Sequence, residues 1–361
     1  MPAQPTISVI LPVYAVEEYL SDCLDSILDA APARLEVIAV DDASPDGCAG
    51  ILDARAEQDP RLRVVHLARN AGPGPARNAG LELATGDYAW FVDADDQLAP
   101  GALAAVAARL ERDRPDVLLI DYEELGPGGR TAPSPGRALL GAAPGGTFTL
   151  AEQPRMIHLT MTSWSKVVRR GFLAGAGARF GGGIHEDVPF TCALLLRAER
   201  ISALARVCYR YRQARPGSLL GTASRAQLAI FGSYETVFAL MAAADPAPPG
   251  AVSAAVFERA IWHYTTVLGG RGLAPWAGRA RLFPRRAGLV PRAARRGFFE
   301  HMHEDFVRYR PPGYRHPPGA RGVKFRLVER NAYVLYTVLE PVNRLRVRLS
   351  RTAGQRPARV K

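Results

Sequence analysis

Five short apolar runs constrain the fold of the first third of this chain. They are "ISVILPVY" (7–14), "LEVIAVDD" (35–42), "RLRVVHL" (61–67), "DYAWFVDADD" (87–96) and "DVLLIDYEEL" (116–125). Their apolar residues run nearly unbroken instead of alternating. Strands covered on both faces read this way, because neither face is left for water. Helix-like segments separate them at 17–29, 46–59, 75–83 and 100–113. Strand and helix alternating at this spacing predict an α/β fold: a mostly parallel open sheet flanked by helices.

The rhythm breaks at 126–147, where glycine and proline predict a surface loop. Structure resumes over 148–215, with a helix predicted at 186–199 and a strand at 207–212. Residues 224–268 read as helical. The expected organisation is therefore one domain over 1–222, with halves at 1–125 and 148–222. A mainly helical, basic C-terminal region follows at 223–361. Length and composition agree: 361 residues, 48% of them hydrophobic, suffice for one large core or two smaller ones.

Charge is distributed unevenly. The net +11 resolves into +17 over residues 271–361 and −6 over the remainder. A basic C-terminal quarter predicts attraction to an anionic membrane surface or a polyanionic acceptor. Clustered arginines also suit nucleic acid, but no nucleic-acid module is recognisable and no such partner is expected. Oligomerisation is left open. The four cysteines, Cys23, Cys48, Cys192 and Cys208, share no metal or disulfide spacing. They fit a reducing compartment. The N-terminal stretch has no basic leader before an apolar run, and no segment reaches the ~20 apolar residues of a spanning helix. The expectation is a cytoplasmic protein, peripheral at most to the inner face of the membrane.

In an open parallel sheet, ligands bind beyond the carboxyl ends of the strands, near the point where strand order reverses. Three such ends are polar here. Tyr14 follows the first strand and could stack on a flat ligand or sit half-buried in the core. Asp41 and Asp42 end the second. Asp46 is better placed to cap the next helix, which leaves Asp42 for a base or ribose. Asp93, Asp95 and Asp96 crowd the end of the fourth, where their repulsion asks for a cation. Magnesium and manganese favour such oxygen donors, though a solvated acidic turn would read the same way. Between these ends, "GPGPARNAG" shapes a tight approach to a helix and brings Arg77 where a diphosphate could lie. No Walker or G-x-G-x-x-G signature is present, so ATP hydrolysis and nicotinamide binding lose their usual support.

In this order, "SVILPVY", "VIAVDDASPDG", "GPGPARNAG" and "DYAWFVDADD" resemble the donor half of a family 2 glycosyltransferase with the GT-A fold. The similarity continues more loosely through "TSWSKVVRRGFL", "ARFGGGIHEDVPF" and "YRYRQARPGSL". This version is similar to bacterial enzymes that decorate wall teichoic acids, capsules and other surface polymers. The resemblance implies inverting transfer from a nucleotide-activated sugar, with a bias to UDP, onto a cell-envelope glycan or polyol-phosphate acceptor. It implies nucleotide contacts from Pro12, Tyr14, Asp42, Arg77, Asp93 and Ala94, a divalent metal (Mn2+ or Mg2+) at Asp95, and Asp187 as general base. Ala15, Ala43 and Ser165 depart from the Asn, Gly and Asn usual at their positions. The processive Q-x-x-R-W signature is absent.

The triplet His-Glu-Asp occurs twice, ending at Asp187 and at Asp305. The first follows a glycine run and opens a predicted helix, where a carboxylate is stabilised; His185 and Glu186 would orient the base or touch the acceptor. The second rides a helix with Phe298, Met302 and Phe306 at four-residue spacing. There Glu304 and Asp305 are expected on a solvated side among arginines, with Asp305 tolerant of substitution. Two other readings stand beside the enzyme: a nucleotide-sugar-binding scaffold without turnover, and a nucleotidyltransferase, whose glycine-rich N-terminal signature is missing.

Overall fold

A computed structural model describes residues 6–29, 34–213, 223–269 and 289–339. The chain divides into two compact units. Among the described residues, the first unit holds 6–29, 34–213 and 229–256, and the second holds 223–228, 257–269 and 289–339.

The first unit is built on strands β1 (Ile7–Val13), β2 (Leu35–Asp41), β3 (Leu62–His66), β4 (Tyr88–Phe91), β5 (Gln97–Leu98), β6 (Val117–Leu125), β7 (Thr131–Pro133), β8 (Thr147–Phe148), β9 (Lys166–Arg169) and β10 (Ile201–Arg212). They form one sheet in the order β3-β2-β1-β4-β9-β6-β10-β5, with β7 on β6 and β8 on β10. The four strands β3-β2-β1-β4 are parallel, and so is the β6–β10 pair. β9 runs antiparallel to both β4 and β6. The expected parallel sheet is thus found in the donor half, while the whole is mixed.

Helices α1 (Glu17–Leu28), α2 (Cys48–Gln58), α3 (Pro73–Leu83) and α4 (Ala102–Asp113) match the predicted segments within a few residues. In α1, Leu20, Cys23, Leu24, Ile27 and Leu28 recur at helical spacing and are all buried. Each such fully covered leucine or isoleucine contributes about 1.5–3 kcal/mol. The segment predicted as a loop at 126–147 instead carries β7 and the short helix α5 (Arg137–Gly141). It is tied down where Ser134 Oγ donates to buried Asp121 (2.6 Å) and Arg137 Nε to its other oxygen (2.7 Å). Helices α6 (Arg170–Ala176), α7 (Asp187–Arg197) and α8 (Ala229–Ala242) complete the unit, together with the first residues of α9 (Gly250–Gly269).

The second unit holds residues 257–269 of α9, then α10 (Arg295–Tyr309) and α11 (Gly319–Glu329). Phe298, Phe299, Met302 and Phe306 of α10 are buried, in line with the four-residue spacing. Phe306 meets Phe257 edge-on at 5.0 Å. Much of the basic segment at 271–361 lies outside the described residues, as does 214–219 of the "YRYRQARPGSL" stretch. No helix among the described residues is long and apolar enough to cross a membrane.

Candidate active site

A crevice opens where β1 and β4 part. Their ladder runs from Ile7↔Tyr88 to Ile10↔Phe91, and Val92 still donates to the Ile10 carbonyl (3.0 Å). The next bond of a parallel ladder would come from residue 12, but Pro12 has no N–H to give. Strand order also reverses here, which makes this the switch point where open α/β sheets bind ligands. Tyr14 stands at its rim, 45% exposed.

Two residues beside it are strained. Ala15 (φ 51°) and Ala43 (φ 56°) both adopt the left-handed conformation. That region is unfavourable for alanine but open to asparagine and glycine, the residues usual at these positions in the resembled family. Ala43→Gly is expected to stabilise the protein by about 1 kcal/mol, read as a rise in Tm of about 2–4 °C.

The Asp41–Asp42 pair divides its work. Asp41 accepts from His66 Nδ1 (2.9 Å) and the Ser44 amide (3.0 Å). Burial works against its charge, yet these bonds hold its carboxyl below the usual range. Asp42 is buried and accepts from the amides of Ala71 (2.7 Å) and Gly72 (2.8 Å). It therefore also shapes the loop entering α3, beyond the base or ribose contact expected of it. Asp46 accepts from Cys48, the first residue of α2 (3.3 Å), and from Glu17, the first of α1 (3.1 Å), so it serves two helix starts.

The acidic turn after β4 separates into three environments. Asp96 is buried, accepting from the Tyr209 hydroxyl (2.7 Å) and the Arg212 amide (2.6 Å). Burial, then the nearby Asp95 and Asp93, push its carboxyl well above the normal range, which relieves part of the repulsion. Asp93 pairs with Arg77 (2.7 Å). Asp95 remains partly exposed, its carbonyl accepting from Arg212 Nε (2.7 Å). Ala94 is buried between them. Among the described residues no three His, Cys, Asp or Glu groups converge on one point. The donor set is the partly exposed carboxylate of Asp95, with that of Asp93 beside it on Arg77, both hard oxygen ligands. That fits magnesium or manganese completing its shell with diphosphate oxygens better than it fits a closed protein cage.

Arg77, expected where a diphosphate could lie, is engaged by carboxylates on two sides. It is buried, with one guanidinium nitrogen on Asp93 (2.7 Å) and another on Glu186 Oε1 (2.6 Å). Its guanidinium lies 5.3 Å from the Phe180 ring centre. The bridge joins the acidic turn of the donor half to the His-Glu-Asp triplet of the acceptor half.

That triplet is held tightly. His185 is buried in the left-handed conformation (φ 64°), and its carbonyl accepts from Ser233 Oγ of α8 (3.1 Å). A residue held in this region marks local strain, which clusters at functional sites. Glu186, its side chain 9% exposed, is engaged by Arg77. Asp187 opens α7. Burial, and next the charge of Glu186, push its carboxyl up to about 7, while Arg77 and Lys166 pull the other way. Two adjacent carboxylates are thereby distinguished: one is fixed in an ion pair, and the other is poised to exchange a proton near neutrality.

Sequence reasoning assigned no role to the residues behind this site. Tyr209 accepts from the Asp93 amide (3.1 Å) while donating to Asp96, so the "YRYR" strand β10 holds the acidic turn in shape. Trp164 stacks on Tyr209 at 4.4 Å. Lys166 is buried and donates to the Thr160 and Thr162 carbonyls (2.6 and 2.8 Å) and to Ser165 Oγ (2.8 Å). Serine at 165 thus supplies an acceptor to a buried ammonium. The signal was the buried-type composition of "TSWSKVV" and "VCYRYR" next to charged residues.

The second triplet departs from expectation. Asp305 is buried, not solvated, and accepts from the Tyr264 hydroxyl (2.8 Å). It remains a structural residue, but not one tolerant of change. Asp305→Ala is expected to lower stability by about 1–3 kcal/mol, because it strips a buried hydroxyl of this acceptor. A denaturant titration would measure the loss.

An open α/β sheet with an acidic turn at its switch point, linked through an arginine to a second carboxylate pair, is laid out as a domain of the GT-A fold class. Residues 8–170 match the profile of glycosyl transferase family 2. An uncharacterized glycosyltransferase, EpsJ of Bacillus subtilis, is 31% identical over 221 residues, covering 60% of this chain and 63% of that protein. The poly(ribitol-phosphate) beta-N-acetylglucosaminyltransferase TarS of Staphylococcus aureus is 33% identical over 221 residues, covering 60% of this chain and 37% of TarS. The chain therefore spans less than two thirds of the length of these relatives. The crystal structure of S. aureus TarS 1-349 in complex with UDP-GlcNAc superposes with a TM-score of 0.68 at 22% identity, covering 94% of this chain and 92% of that one. Residues 8–170 are thus similar to glycosyl transferase family 2, and the chain has the GT-A fold.

Proposed function

We propose that this protein transfers a sugar from a nucleotide-diphosphate donor to a hydroxyl of a cell-envelope polymer, with inversion at the anomeric carbon. The observation that carries the reading is Asp187: a carboxyl held near neutrality and joined through Glu186 and Arg77 to the acidic turn at the switch point. In the transfer, the acceptor hydroxyl gives its proton to Asp187 as its oxygen attacks the anomeric carbon, and the bond from that carbon to the diphosphate oxygen breaks. Entry opposite the leaving group inverts the centre. Tyr14 and Asp42 would face the base, Pro12 and Ala94 would line the crevice, and Asp93 would face the ribose. A divalent cation held by Asp95 would offset the charge that develops on the diphosphate. His185 would steady the triplet through its fixed backbone.

The TarS structures in complex with UDP-GlcNAc and with UDP support a uridine-linked donor. The named activity of TarS on poly(ribitol-phosphate) supports a teichoic-acid-like or other polyol-phosphate acceptor. Such chemistry would place the enzyme in the cytoplasm or at the inner face of the membrane. Val334, Leu335, Val338 and Leu339 are all exposed, and the basic tail follows them, which suits an anionic surface.

The test is a hydrolysis screen of nucleotide sugars with and without manganese, since slow transfer to water needs no acceptor. Release of UDP from one donor, enhanced by the metal, is expected. Turnover of none would favour a binding scaffold, and release of pyrophosphate from a nucleoside triphosphate would favour a nucleotidyltransferase.

A further inference from the structure

We propose that Arg77 is a positioning residue for the acceptor-side base: it holds Glu186 so that Asp187 is presented toward the donor end, and it sets the pH range in which Asp187 works. The inference rests on the reading of Asp187 as base and gives Arg77 a role apart from nucleotide contact.

The geometry comes from several independent contacts between α3 and the loop that leads to α7. Arg77 bridges Asp93 (2.7 Å) and Glu186 (2.6 Å) from a position only 6% exposed. Asn78, the next residue, donates to the Phe180 carbonyl (2.9 Å) and accepts from the Phe180 amide (3.1 Å). One turn earlier, Gly74 lies so close to this loop that a Cβ there would stand 2.0 Å from the Gly181 carbonyl oxygen. The donor-side helix thus carries the acceptor-side triplet. A planar guanidinium can bridge two carboxylates at once, and an ammonium cannot hold the same fork.

The charges facing Asp187 are Glu186 on its own segment, Arg77 from α3, Lys166 from β9 and Asp93 beyond β4. Arg77 and Glu186 act on it with opposite sign, and this yields a test that a scaffolding role would not pass. In the pH profile of donor hydrolysis, Arg77→Gln removes a cation and leaves Glu186 uncompensated. The acidic limb should move up by about one pH unit. Glu186→Gln, nearly the same shape, removes an anion, and the limb should move down by a similar amount. The double variant should return toward the wild-type midpoint with a lower kcat.

UDP affinity is measured alongside. If Arg77 serves only the diphosphate, Arg77→Gln weakens UDP binding and neither single variant moves the midpoint, which overturns the proposal. If the pair serves only the fold, Tm falls and the midpoint stays, which overturns it equally. Should Arg77→Gln fail to fold, the Glu186→Gln profile alone decides, since an unmoved or raised midpoint contradicts the inference. Full activity in Asp187→Asn would instead remove the base reading itself.

Discussion

Asp187→Asn is expected to lower kcat by about 10²–10⁴-fold while leaving UDP binding and Tm close to wild type. The amide keeps the shape of the side chain and the start of α7 but cannot accept the acceptor's proton. The same assignment fixes the sign of the pH dependence. A base works only when deprotonated, and burial together with Glu186 raises the Asp187 carboxyl to about 7. Activity should therefore be fully present well above pH 7, fall to half near it, and drop about tenfold per pH unit on the acidic side. In Asp187→Asn the residual rate should lose that limb. An unchanged profile and rate would show that another group takes the proton.

The second large effect is expected at Gly74. Alanine ordinarily favours a helix over glycine by up to about 1 kcal/mol, so a surface glycine in α3 would be improved by the change. Here the new methyl group would stand 2.0 Å from the Gly181 backbone oxygen and 3.2 Å from Glu186 Cγ and Phe180 Cβ. A backbone oxygen cannot turn aside as a flexible side chain can, so the loop must move. A displacement near 1 Å at a reacting group can lower the rate about a hundredfold. Gly74→Ala should therefore depress kcat strongly and reduce stability, while Gly50→Ala in α2, where nothing beyond its chain neighbours and its own helix backbone lies within 4 Å of the new carbon, should not. Steady-state kinetics on the pair would separate a helix-propensity effect from the clash.

Most of the donor half was legible because its elements are written locally. The apolar runs of β1, β2, β3 and β6 and the helical spacing of α1 and α4 carry their own signal, and each element lies within a few residues of its predicted bounds. The fourth strand is shorter than "DYAWFVDADD" suggests, because the chain turns at Asp93 to present its carboxylates. Partnerships were not legible. Arg77 and Glu186 are 109 residues apart, and Tyr209 and Asp96 are 113 apart. Periodicity says nothing about contacts at that range, so Arg77 reads as a cation near phosphate and Asp96 as one of three crowded carboxylates asking for a cation. Asp305 is misplaced by the sequence for the same reason. Its helix pattern is plain, but its partner Tyr264 lies on α9.

The antiparallel strand β9 has a consequence for how the protein is made. β4 and β6 do not pair with each other; Lys166–Arg169 lies between them and pairs with both. A chain emerging from the ribosome has all of the parallel strands β1 to β4 by residue 91, yet β4 then presents an unpaired edge until residue 169 is available. β6 waits longer still, since its other neighbour is β10, which starts at Ile201. Residues 1–125 thus contain the switch point and the acidic turn but not a closed sheet. This domain should fold as a whole and late, with Asp187 and the acidic turn after β4 becoming ordered in the same step.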